Sequence, residues 1–166
     1  YVQGVKAANS NASIIQNMTG TTPAAWNDPV KGTELTKAQI SQGADVVYAA
    51  AGGKRVGVLQ AAADANILSI GVDANQNYMH PGQVLTSMLK RVDLAVYNAF
   101  SEGESLTTGF NIMGLAEDGV GYALDEHNKT LVSADMISKL EAEKAKIVNG
   151  QIKVHHYMSD NSCPVK

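Results

Sequence analysis

The chain has 166 residues and a formal net charge of −3, with 45% of residues hydrophobic and 17% charged. That length supports one domain with a real core, and the mildly acidic balance, pI about 5.8, argues against a basic nucleic-acid-binding face. No apolar run approaches the ~20 residues of a membrane span, and Cys163, the only cysteine, excludes an internal disulfide and a cysteine metal cluster.

Strand and helix patterns alternate along the chain. Val2, Val5 and Ala8 sit at helical spacing, and Ser13 to Met18 reads as a strand followed by a Gly/Thr/Pro-rich loop over 20–29. Residues 30–42 read as a helix stopped by Gly43 in the C′ role. Residues 45–51 read as a short buried strand ended by Gly52-Gly53, and 55–66 as a helix with Val56, Leu59 and Ala63 on one face. Two further strands are predicted over 68–72 and 84–88, with a loop over 75–82 between them. Residues 91–101 form a helix pattern with Val92, Ala95, Val96 and Ala99 as its inner stripe. Residues 109–115 read as a strand leading into a glycine-rich loop that runs to Gly121. Ser133 is placed to cap a helix carrying Ile137, Leu140, Ile147 and Val148, with Lys144 interrupting the stripe. Asn149-Gly150 ends it, 151–155 reads as a last strand, and 158–166 as a flexible tail.

This alternation with short connections predicts an α/β fold, a parallel sheet with helices on both faces. The first three strands are expected near 13–18, 45–51 and 68–72. The stretch 91–128 departs from the rhythm of the earlier units and reads as a piece that belongs against another lobe.

Trp26, Gly52, Gly53, Asp73 and Lys90 each come just past the carboxyl end of a predicted strand. Parallel strands share one carboxyl edge, where such folds bind ligands. An aromatic face, a backbone without side chains, a carboxylate and an ammonium would then converge on one pocket. Each has a plainer reading too. Trp26 could anchor a loop, Gly52-Gly53 could be a tight turn, Asp73 could cap the following loop, and Lys90 could be a surface lysine. Lys54 and Arg55 are odd at a helix start on dipole grounds, and are either solvated or turned toward an anion. The set holds no catalytic constellation: no GxSxG elbow is present and Ser87 and Ser133 have no evident base. His155 and His156 are adjacent, and His80 and His127 stand alone, so neither a metal nor another cofactor is expected.

Several runs are specific. They are Gly71-Val-Asp-Ala-Asn-Gln-Asn-Tyr78, Val84-Leu-Thr-Ser-Met-Leu-Lys-Arg-Val-Asp93, the run from Gln42 to Gly53, and Trp26-Asn-Asp-Pro-Val-Lys-Gly32. With the stretch Gly114 to Gly121 and His127-Asn128, they resemble the basic membrane protein family of ABC-transporter solute-binding lipoproteins, over nearly the whole chain. The resemblance implies a type I periplasmic-binding fold of two α/β lobes that close on ligand, a purine nucleoside in characterised members. On that basis residues 1–90 are the second lobe, 91–124 a segment that packs toward a first lobe, and 125–157 a C-terminal helix and strand. Tyr1 in place of an initiating Met is then read as lying inside a longer, lipid-anchored precursor, periplasmic or at the cell surface.

Carried over by position, Trp26 resembles the aromatic that stacks on the base. Gly52 and Gly53 would line the pocket, Asp73 resembles the carboxylate that binds the ribose hydroxyls, and Lys90 the lysine beside it. Two departures matter: Asn75 stands where members often carry a second acid, and Lys54-Arg55 where Thr-Gly is common. Both make the rim less negative. The partners implied are the nucleoside, an ABC permease and the first lobe or a second copy of the chain, with no nucleic acid and no membrane contact beyond the anchor. Another reading stays open, a sensor or assembly half-domain that pairs with its own copy or with another subunit. A nucleoside-processing enzyme is less favoured, because no acid–base pair stands beyond Asp73 and Lys90.

Overall fold

The computed structural model describes residues 1–163. Its centre is a four-stranded sheet in the order β1-β2-β3-β4: β1 is Val46–Tyr48, β2 Leu68–Asp73, β3 Val84–Lys90 and β4 Val120–Tyr122. The first three are parallel, while β4 runs antiparallel to β3 and pairs Val120 with Lys90. The fold is therefore α/β, as the alternation predicts, with a mixed rather than wholly parallel sheet.

The helices form where the local signals place them. Helix α1 spans Val2–Ala8. Helix α2 spans Pro29–Ser41; the Asp28 side chain caps it by accepting from the Lys31 amide at 2.9 Å, and Pro29 takes the first position, where no N–H is needed. Gly43 lies just beyond its end at φ +93°, the left-handed C′ conformation. Helix α3 is Arg55–Asp64 and α4 is Val92–Glu102. Helix α5, Ala134–Val148, starts where the Ser133 hydroxyl accepts from the Met136 amide.

The core lies between α3 and the first strands, where Val47, Ala49, Val58 and Ala62 pack together and Leu59 and Val84 are wholly buried. Helices α2 and α3 touch almost backbone to backbone. A Cβ at Gly57 would fall on the Pro29 carbonyl and 2.7 Å from the Thr33 hydroxyl. Gly57→Ala is therefore expected to lower stability by about 1–2 kcal/mol through forced separation of the helices. A denaturant midpoint equal to the parent's would show that the contact yields freely.

Three expected strands are not strands. Residues 13–18 form no strand and pair with no ladder. Their neighbourhood is tied by side chains instead: Gln39 donates to the Asn17 side chain at 2.7 Å, and the Lys54 ammonium donates to the Thr19 carbonyl at 3.0 Å. A cleft of about 130 Å³, lined by Asn17, Thr19, Thr36 and Tyr48 among others, occupies this region. The first three strands are thus 46–48, 68–73 and 84–90, not those starting at 13. Residues 109–115 also lack a ladder, with Phe110 and Ile112 almost fully exposed and no sheet to lie on. Residues 151–155 bond instead to the Gln3 side chain, which accepts from the His155 amide and donates to the Lys153 carbonyl. The end of the glycine-rich loop, in turn, supplies β4.

Beyond α5, residues 157–159 make a 3-10 turn, and His155 Nε2 lies 3.3 Å from Asp160. Of the tail expected to be flexible, residues 164–166 lie outside the described residues.

Candidate functional site

The carboxyl ends of β1, β2 and β3 lie side by side because the three strands are parallel neighbours. The residues at and just past those ends are therefore gathered on one edge of the sheet.

β2 ends on Asp73, which takes φ +69°. That left-handed conformation is uncommon for a residue with a side chain, and Asp tolerates it better than most. It turns the chain sharply, with the Ala74 amide donating to the Val72 carbonyl at 2.9 Å. β3 ends on Lys90, whose ammonium lies 3.1 Å from Asp73 Oδ1. The Asp73 side chain is about two-fifths exposed (38%), so its carboxylate faces open solution beside an ammonium. This arrangement differs from a loop-capping role, in which the carboxylate would bind nearby amides.

Past β1, Gly52 takes φ +56°, and Trp26 covers it: a Cβ at position 52 would stand 2.9 Å from the Trp26 carbonyl and 3.2 Å from its ring atom Cε3. Gly53 is equally close to Asn27, with 2.8 Å from its ideal Cβ to Asn27 Oδ1. Trp26 sits in a 3-10 turn over Pro23–Trp26 and is 59% exposed, so it packs on the glycine turn while most of its surface meets solvent.

Arg55 joins the two groups. Its Nη1 donates to the Gly52 carbonyl at 3.3 Å and lies 3.8 Å from Asp73 Oδ2. The five expected residues thus form two contacts, Trp26 with Gly52-Gly53 and Asp73 with Lys90, linked by a residue the sequence marked only as odd. Lys54, its neighbour, is neither solvated nor facing an anion: it is buried, with its ammonium on the Thr19 carbonyl. Tyr48 also belongs to this edge. Its hydroxyl pKa is raised, first by burial and then by the negative charge of Asp73, and its ring stacks on Tyr1 at 4.8 Å.

A polar network that sequence reasoning missed holds the Asp73 turn from beneath. Gln76 Oε1 accepts from the Val72 amide, the Gln76 amide donates to the Ser87 hydroxyl, and Ser87 donates to Asn77 Oδ1. Gly71 leaves the space this needs, since a Cβ there would stand 2.6 Å from both Gln76 Oε1 and Ser87 Oγ. Asn75 and Asn77 donate to Asp125 Oδ2 at 2.6 and 3.1 Å. Buried Asn128 donates to the Leu85 and Ala123 carbonyls and accepts from the Asp125 amide. The signal that could have found it is the density of Asn, Gln and Asp in 73–77 and 125–128, too polar for a core and too regular for a free loop.

The Asn75 amide, then the His127 backbone and the Asn77 amide, hold the Asp125 carboxyl below the usual carboxylate range. A folded-state pKa below the unfolded one stabilises the fold above about pH 4, and that contribution is lost as pH falls through the lowered value. Asn75→Asp would set a second carboxylate against Asp125. It should cost about 1 kcal/mol at neutral pH after allowance for screening, and less near pH 4, where the pair takes up a proton. Thermal melts at pH 7 and pH 4 check this; a deficit that grows on acidification would contradict it.

Among the described residues, no cluster of three His, Cys, Asp or Glu is placed to hold a metal ion, and no helix is long and apolar enough to cross a membrane.

A family model described as "ABC transporter substrate-binding protein PnrA-like" matches residues 1–157. Basic membrane protein D of Borreliella burgdorferi is 34% identical over 160 residues, 93% of this chain and 46% of that protein. A CD4+ T-cell-stimulating antigen of Listeria monocytogenes is 35% identical over 175 residues, again 93% of this chain and 46% of that one. An uncharacterised lipoprotein of Pyrococcus horikoshii is 34% identical over 125 residues, 70% of this chain and 30% of its own. Among solved structures, an ABC transporter solute-binding protein from Aeropyrum pernix superposes with TM-score 0.76 at 27% identity, covering 93% of this chain and 52% of that one. The match thus covers between 30% and about half of the length of these relatives.

Proposed function

This chain belongs to the PnrA-like family of ABC transporter substrate-binding proteins, and from that premise we propose that it is a nucleoside-binding lobe of an uptake system. The observation that carries the reading is the pairing of Asp73 with Lys90 at 3.1 Å, on the edge where Trp26 lies over Gly52. A carboxylate only accepts hydrogen bonds, so it suits the vicinal hydroxyls of a ribose. The exposed ring of Trp26 suits a stacked purine, and the glycine pair lets the ligand approach the backbone. Lys90, whose ammonium lies 3.1 Å from that carboxylate, donates to a ring or hydroxyl oxygen.

In this reading residues 1–90 form one face of a cleft, and residues 91–124 pack toward a companion lobe that closes over the ligand. The closed form delivers its ligand to an ABC permease. The protein works outside the cytoplasm on a lipid anchor, a placement suggested by the lipoproteins among its relatives. Binding rather than turnover is proposed, since the family is one of substrate-binding proteins and the Asp73 carboxylate is held between two cations, Lys90 and Arg55.

Titration calorimetry of the chain with inosine, guanosine and free ribose tests the proposal. Saturable binding of a nucleoside, with ribose much weaker and no free base released, supports it. Absence of nucleoside binding up to millimolar concentration, or release of the base, would overturn it.

A further inference from the structure

We propose that Arg55 is a specificity-determining residue of this site, and that it favours a nucleoside whose sugar carries an anionic group, such as a 5′-monophosphate, over the neutral nucleoside. The inference rests on the nucleoside reading and deepens it.

Three charged side chains meet here, and they do not cancel. Lys90 lies 3.1 Å from Asp73 Oδ1 and Arg55 3.8 Å from Asp73 Oδ2, so one carboxylate stands between two cations and the cluster carries one net positive charge. One cation already balances the charge of the carboxylate. The second is surplus, and a ligand anion would balance it.

The donors of Arg55 tell the same story. A guanidinium carries five N–H groups. Nη1 donates to the Gly52 carbonyl at 3.3 Å. Nε is closed off from solvent and has no acceptor among the described residues. A donor shut off from solvent is out of a ligand's reach, so a ligand meets the guanidinium only where it is open, and the part of the side chain that remains exposed is what faces solution. The planar fork of a guanidinium matches two oxygens of a phosphate or carboxylate, which a lysine at the same position would not do as well.

Position makes the acceptor part of the sugar. Arg55 bridges the carbonyl of Gly52, beneath the ring proposed to stack on the base, and the carboxylate proposed to bind the hydroxyls. A group between base platform and hydroxyl acceptor faces the ribose. The side chain remains 29% exposed, so a ligand can reach it.

The experiment is titration calorimetry of the 166-residue chain, Arg55→Gln and Arg55→Lys with guanosine and guanosine 5′-monophosphate. The parent should bind the monophosphate at least tenfold more tightly than the nucleoside. Arg55→Gln should bring the ratio to one or below, and Arg55→Lys should keep part of it. Thermal midpoints within a few degrees of the parent's would show that the variants fold. If the parent binds guanosine as tightly as the monophosphate, the Arg55 inference fails and the nucleoside reading stands. If Arg55→Gln weakens both ligands and leaves their ratio unchanged, Arg55 is structural and the inference also fails. If neither ligand binds up to millimolar concentration, the nucleoside reading falls and takes the inference with it.

Discussion

Asp73→Ala is expected to weaken nucleoside binding by about 1.5–3 kcal/mol, roughly ten- to 150-fold, the range for hydrogen bonds to a charged group. The loss has two sources. The ribose hydroxyls lose their acceptor, and Lys90, which lies 3.1 Å from that carboxylate, becomes an unpaired cation facing the ligand. Alanine brings a complication at this position. Asp73 holds φ +69°, where alanine is strained by about 1–2 kcal/mol, so part of any effect could reflect a moved turn. The substitution Asp73→Asn removes this ambiguity, because asparagine tolerates the same conformation and keeps the shape. Calorimetry with both variants should show comparable losses. If Asp73→Asn binds like the parent, the carboxylate charge does not hold the ligand and the assignment of Asp73 is wrong.

How much of the fold and the site is legible in the sequence depends on whether a feature is local. Gly43, Asp28-Pro29 and Ser133 act within one turn of themselves, and the helix ends fall beside them. The strands at 46–48, 68–73 and 84–90 are legible because each is an apolar run with neighbours of the same kind. The stretches 13–18, 109–115 and 151–155 carry similar patterns but have no partner strand, and a strand is defined by its pairing rather than by its own sequence. The same division runs through the site. Asp73, Lys90 and Gly52 can be placed because each stands at or past a strand end, and parallel strands bring such ends together. The bond between Asn75 and Asp125 spans 50 residues, and although each stretch is conspicuously polar, neither names the other as its partner. Arg55 lies between these cases. Its position at a helix start is conspicuous, but only the fold supplies Asp73 as the reason.

The isolated chain is expected to self-associate through the region from α4 to residue 112. Its accessible surface is 11047 Å². A compact monomer of its 17.5 kDa mass would expose about 7,900 Å², so the excess is on the order of 3,000 Å², as large as a permanent interface. The excess has an address. Helix α4 contains no buried residue, although Val92, Val96, Tyr97 and Phe100 are spaced as a core-facing stripe. Leu106, Phe110 and Ile112, further along the chain, are exposed as well, and among the described residues β4 leaves one edge of the sheet unpaired. Apolar surface on this scale is rarely left bare on a soluble monomer. In the proposed two-lobe arrangement a companion lobe covers it; for the chain alone in solution, a second copy is the available cover. Light scattering across a dilution series should show a mass near twice that of the chain at tens of micromolar, falling toward the monomer on dilution. Phe100→Asp combined with Ile112→Asp should keep it monomeric at every concentration without lowering its thermal midpoint, because neither side chain is buried in the single chain. A strictly monomeric parent, with residues 91–115 protected from hydrogen exchange, would show instead that the segment folds back on its own lobe, and the assignment of 91–124 to a partner surface would have to be abandoned.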